Sequence, residues 1–120
     1  MKKTTKKIAT RMKETKLTSK FYGFLGLCAK AGKVQSGAFA AEKAIKQSDA
    51  KLVIVADDAS ANTKSDYTKL CNGYGATLVI YGDKASLGRA IGKDERVALV
   101  ITDEKMAEAL VEKMKENSEE

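Results

Sequence analysis

The side chains that could do chemistry in this 120-residue chain are few. There is no histidine, which excludes Ser-His-Asp and Cys-His catalysis, imidazole metal sites and the usual pH switch. The two cysteines, Cys28 and Cys71, are too few and too far apart for a zinc site or a disulfide framework. Both fall on apolar helical stripes and read as inert core thiols. Gly32-Lys33 shares two letters with a phosphate loop, but the loop's first glycine would have to stand where the chain has Leu27. Gly73-Tyr74-Gly75 follows a helical pattern rather than a strand, so it is no dinucleotide fingerprint. That leaves Asp57-Asp58, a carboxylate pair at the end of an apolar run. Such a pair can hold magnesium, as in a phospho-acceptor receiver. The simpler reading, which we favour, makes it the cap and turn before the next helix.

Positive charge is the other chemical resource. The chain carries a net +6, and residues 1–17 alone hold seven cations against the single acid Glu14. This stretch reads as a flexible basic arm that seeks polyanions. Residues 18–116 form one domain, and 117–120 are an acidic end. Within the domain, Lys30 and Lys33 flank the end of the first helical stretch, Lys43 and Lys46 follow on the second, and Arg89, Lys93 and Arg96 bracket Gly92. Cations beside glycines and helix N-termini suit phosphate groups. Phe21, Phe24, Tyr67 and Tyr74 fall on helical core stripes. Phe39 falls off its stripe and is the aromatic best placed for surface contact.

The elements that must hold these residues follow from the hydrophobic pattern. Thr18 or Ser19 caps a helix with Phe21, Phe24, Leu25 and Cys28 inward, ended by Gly32. Lys33 to Gln35 form a short strand. Ser36 caps a second helix with Ala41, Ala44 and Ile45 inward. Residues 52–56, 77–81 and 97–101 are apolar runs rich in β-branched residues, the mark of strands covered on both faces. Helices with Tyr67 and Cys71, with Leu87, and with Leu110 alternate with them. The pattern predicts a layered α/β/α sandwich. No run approaches the ~20 apolar residues of a membrane span, and no signal sequence is visible. The expectation is a cytoplasmic protein with no membrane partner.

Three blocks carry a family resemblance: Gly37 to Ile45 (GAFAAEKAI), Lys51 to Asp58 (KLVIVADD), and Leu87 to Gly92 (LGRAIG) with Lys93-Asp94-Glu95-Arg96-Val97. Together they resemble the kink-turn RNA-binding family of ribosomal proteins L-seven-Ae and L-thirty-e over roughly residues 20–103. Residues 24–33 look most like its bacterial YlxQ-like branch. The resemblance implies a mixed four-stranded sheet, order 1-4-2-3 with the last strand antiparallel. It implies binding of sharply kinked RNA with tandem G·A pairs, the second helix's N-terminus meeting those pairs. By the same match Gly37 permits close approach, Lys43 takes the family lysine position, Asp57 and Asp58 begin a loop beside the RNA, and Ile91-Gly92 cradle unstacked nucleotides. The family's Gly-x-Asn-Glu reads Gly37-Ala38-Phe39-Ala40 here, so a ring and a methyl replace two hydrogen-bonding side chains. Phe39 is then positioned to stack.

The resulting expectation is a non-catalytic RNA-binding protein without cofactor or metal. Its partner is ribosomal or other kink-turn RNA, with the ribosome or translation machinery beyond it. The candidate RNA-binding residues are Lys33, Ser36, Gly37, Ala38, Phe39, Lys43, Asp57, Asp58, Ile91, Gly92, Lys93 and Arg96. Two alternatives stay open: a small magnesium-dependent enzyme or receiver built on Asp57 and Asp58, and a protein-interaction module that has lost RNA binding.

Overall fold

The computed structural model describes residues 20–118. The basic arm at 1–17, the cap at Thr18 or Ser19 and the last two residues of the acidic end lie outside the described residues. Helix α1 covers 20–30. It is followed by β1 (Val34–Ser36), α2 (Ala38–Lys46), β2 (Leu52–Val55), α3 (Ala61–Tyr74), β3 (Leu78–Ile80), α4 (Lys84–Ala90), β4 (Ala98–Ile101) and α5 (Glu104–Ser118). The strands form one sheet in the order β1-β4-β2-β3. β2 and β3 are parallel, and β4 is antiparallel to both its neighbours. This is the mixed sheet, with its reversed last strand, that the family resemblance implies.

Helices α2 and α3 pack against each other on one face of the sheet. On the other face α1 meets α4, where Gly26 faces the Ala90 carbonyl, and α5, where the Lys113 ammonium lies 5.0 Å from the centre of the Phe24 ring. With helices on both faces, every residue of β2 and β4 is buried. Each Val, Leu or Ile side chain among them is worth about 1.5–3 kcal/mol of transfer free energy. Phe21, Leu25, Ile45, Leu87 and Leu110 complete the core from the helices.

Two of the three apolar runs depart in part from the expected burial. β3 has a strand partner on one side only; Leu78 and Val79 are half-buried and Ile80 is 40% exposed. Val97 is exposed and precedes β4 rather than belonging to it. Tyr74 is exposed as well, because it is the last residue of α3 and the chain turns away at Gly75. Cys28 and Cys71 are free and buried. Burial pushes both thiols up from their usual range, which suppresses the reactive thiolate.

Local caps fix the helix starts. Ser60 Oγ accepts from Thr63 N–H at 3.1 Å, Asp83 Oδ1 from Ser86 N–H at 2.8 Å, and Asp103 Oδ1 from Met106 N–H at 2.9 Å. One contact has no local signature. After α4 the chain doubles back, Lys93 N–H donates to the Gly88 carbonyl at 2.8 Å, and a Cβ on Gly88 would lie 1.9 Å from the Asp94 carbonyl oxygen. Only glycine lets the returning backbone lie this close.

Gly88→Ala is therefore expected to lower stability by about 3 kcal/mol, since the obstruction is backbone and the site is buried. Gly23 lies exposed on α1 with nothing near its missing side chain, and Gly23→Ala is expected to raise stability by up to about 1 kcal/mol. Urea denaturation followed by circular dichroism checks the pair; equal midpoints would contradict the packing described.

Candidate nucleic-acid interface

Because β4 runs against its neighbours, its N-terminal end lies beside the C-terminal ends of β1, β2 and β3. Four connections therefore meet at one end of the sheet: Ser36-Gly37, Asp57-Asp58, residues 81–84 and residues 93–97.

At the first connection, Gly37 holds φ +90° and ψ 147° as the N-cap of α2, a conformation that favours glycine. No side chain caps this helix and no acid stands in its first turn. Ser36 was expected to cap it, and the structure corrects that: Ser36 is held in the ladder opposite Leu99, and its hydroxyl accepts from Arg96 Nε at 3.4 Å. The first intrahelical bond is Ala41 N–H to the Gly37 carbonyl. The Ala38, Phe39 and Ala40 amides are thus the orphan donors of the positive helix end. Phe39 is 82% exposed. Lys43 is exposed one turn on, pointing away from the buried Ala41, Ala44 and Ile45. Phe39, Lys43 and Gln47 form an i, i+4, i+8 row, and with Gln35 they line a shallow hollow of about 320 Å³. Gln35 and Gln47 were not among the expected site residues, although that row and the outward register of Gln35 on β1 are legible in the sequence.

The second connection differs from expectation. Asp58 does not cap the helix that follows it, where Ser60 serves. Its Oδ1 instead accepts from Lys84 N–H at 2.9 Å, at the first turn of α4. Asp57 is exposed, with Oδ1 3.7 Å from Lys64 Nζ, and its N–H donates to the Gly82 carbonyl. The two carboxylates thus face different partners. Among the described residues no group of three or more His, Cys, Asp or Glu is placed to hold a metal ion.

The returning loop is organised by Arg96. Its Nη1 donates to the Asp94 and Glu95 carbonyls at 3.3 and 2.9 Å, its Nε to Ser36, and its own N–H to the Lys84 carbonyl. Arg96 so ties β1 to the loop through its half-buried guanidinium and the loop to α4 through its backbone N–H. Nη2 makes no hydrogen bond among the described residues. Lys93 is exposed on the same loop.

Three expected residues lie elsewhere. Lys33 precedes β1 at the opposite end of the sheet, roughly 13 Å from Gly37 along an extended chain. Ile91 and Gly92 sit at the far end of α4, against α1. It is residues 93–96, not the Ile91-Gly92 turn, that return to Ser36.

Residues 19–111 match the ribosomal protein L7Ae/L30e/S12e/Gadd45 family. The chain belongs to that family. It is 40% identical over 91 residues to the RNA-binding protein YlxQ of Bacillus subtilis (strain 168), covering 76% of this chain and 91% of that one. It is 33% identical over 85 residues to the large ribosomal subunit protein eL8 of Cenarchaeum symbiosum, covering 70% of this chain and 68% of that one. The chain is a non-catalytic member of this family. A solved protein of unknown function from Bacillus halodurans C superposes with a TM-score of 0.76 at 32% identity, over 81% of this chain and 98% of its own. A Giardia lamblia 15.5kD RNA binding protein shares the fold at a TM-score of 0.66 and 22% identity, over 86% of this chain and 88% of its own.

Asp58→Ala is expected to cost about 1 kcal/mol, the loss of one helix-cap acceptor, and Asp57→Ala about 0.5 kcal/mol or less, since its ion pair is exposed. Millimolar magnesium should leave the melting temperature of the unaltered protein unchanged. A magnesium-induced rise that disappears in both variants would restore the metal-site reading.

Proposed function

We propose that this family member binds structured RNA at the sheet end where α2 begins and the 93–96 loop returns, and that it favours sharply kinked RNA. The observation that carries the reading is the uncapped start of α2, with Gly37 open beneath it and Phe39 82% exposed beside it. Free amides at a positive helix end suit a phosphate. An exposed ring in the same turn suits an unstacked base. Lys43 and Lys93 add charge on either side. The names of the B. subtilis and C. symbiosum relatives, an RNA-binding protein and a ribosomal protein, support the same class of partner.

The chemistry also sets how a kink would be recognised. Phe39 and Ala40 offer no side-chain hydrogen bonds to base edges, so discrimination falls on shape, stacking and backbone amides. A kink splays nucleotides and presents ring faces that a continuous duplex hides. On this reading the partner is ribosomal or other kinked RNA of the translation machinery, in the cytoplasm.

The test is an electrophoretic shift with an RNA containing a tandem G·A kink and with a fully paired duplex of equal length. Tighter binding of the kinked RNA is expected; equal affinity for the two would contradict shape recognition. Phe39→Ala should weaken binding of the kinked RNA by about 1–3 kcal/mol, with little change in melting temperature because the ring is exposed. Lys43→Ala should lower affinity while costing about 0.5 kcal/mol of stability or less. Deleting residues 1–17 should flatten the salt dependence of binding and barely alter preference between RNAs, since phosphate contacts carry no base information. An unchanged salt slope would remove the arm from the interface.

A further inference from the structure

A second groove lies outside the surface just described. Between α1 and α4 runs an open channel of about 490 Å³, lined on the α1 side by Tyr22, Gly23, Gly26, Leu27, Ala29 and Lys30 and on the other by residues 89–92. Its form follows from one close approach. A Cβ on Gly26 would stand 2.9 Å from the Ala90 carbonyl, so the helices touch there and diverge on either side. Tyr22, Gly26 and Lys30 recur every four residues and thus share the face of α1 turned to α4. Lys30 and Arg89 stand on opposite walls, both exposed, and neither has an ion-pair partner among the described residues. The floor at Gly23 and Gly92 is open. Leu27, 58% exposed, and the half-buried Ile91 supply apolar patches.

We infer that this groove holds a single-stranded segment of the bound RNA, with phosphates at Lys30 and Arg89 and a base against Leu27 and Ile91. The inference rests on the function proposed above and extends its footprint. Charge selects a polyanion, and glycine and alanine let its backbone approach. The apolar patches suit bases free of a duplex. The groove and the first surface share one segment of chain: residues 91–92 line the groove, and the loop runs on through 93–96, where Arg96 meets Ser36.

The test compares a minimal kinked RNA with the same RNA extended by about eight unpaired nucleotides at either end. The unaltered protein should bind one extended form about tenfold more tightly than the minimal RNA. K30E/R89E should lose that gain, flatten the salt slope for the extended RNA by about 1.4, and bind the minimal RNA normally. The milder Lys30→Gln/Arg89→Gln pair should act in the same direction and covers the case where charge reversal disturbs folding. The inference is overturned if extension brings no gain, if both variants keep it, or if they lose affinity for minimal and extended RNA alike. It is also overturned if polyglutamate of matching charge displaces the extended RNA as well as unlabelled RNA does, which would assign the groove to an acidic protein segment. If the unaltered protein binds neither RNA, the failure lies in the proposed function rather than in the groove alone.

Discussion

Strand β4 runs opposite to both strands it pairs with, and the layout of the surface depends on that reversal. In an all-parallel sheet the connection into the last strand would arrive at the far end. Here the chain descends α4, doubles back and begins β4 beside the exits of β1, β2 and β3. Two short contacts make the return feasible. Gly88 lets the 93–95 backbone lie on α4, and Arg96 fastens its end to Ser36. The fold thereby puts a helix start and a charged loop side by side, although they belong to distant parts of the chain.

Electrostatics complete the division of labour. The α2 start keeps its orphan amides because Ser36 is engaged elsewhere and no acid stands in the first turn. The other helices with described starts are capped by their own Ser or Asp. Asp58 adds to the capping of α4, which leaves its carboxylate turned to protein. Among the described helix starts, the one without a side-chain cap is thus also the one with an exposed ring and a lysine in its next turn. This contrast sets the α2 start apart from the other described helix ends and is the ground for proposing it as the binding surface.

Much of the fold is legible in local pattern. The β-branched runs mark β2 and β4, and helical spacing places Phe21, Leu25, Ile45, Leu110 and their neighbours in the core. The pattern fails where the deciding partner is remote in sequence. The run at 77–81 reads like the other two, yet sheet order leaves β3 at an edge. Ser36 obeys the local capping rule, but Arg96, sixty residues on, takes its hydroxyl. Asp58 looks like a cap for α3 and serves α4. Gly26 and Gly88 look like weak points in helices, and their purpose appears only when another backbone passes beside them. Of the candidate site, the Gly37, Phe39 and Lys43 set is legible from spacing and exposure. The resemblance brings in the α4 loop, but only coordinates show that residues 93–96, and not Ile91-Gly92, meet β1.

The most direct measurement is a map of backbone amide chemical shifts as a kinked RNA is titrated into the protein. The account predicts that the largest changes fall on residues 37–40 and 93–96, with the outward face of α5 silent. Changes concentrated on α5, with the Ala38, Phe39 and Ala40 amides unmoved, would contradict it.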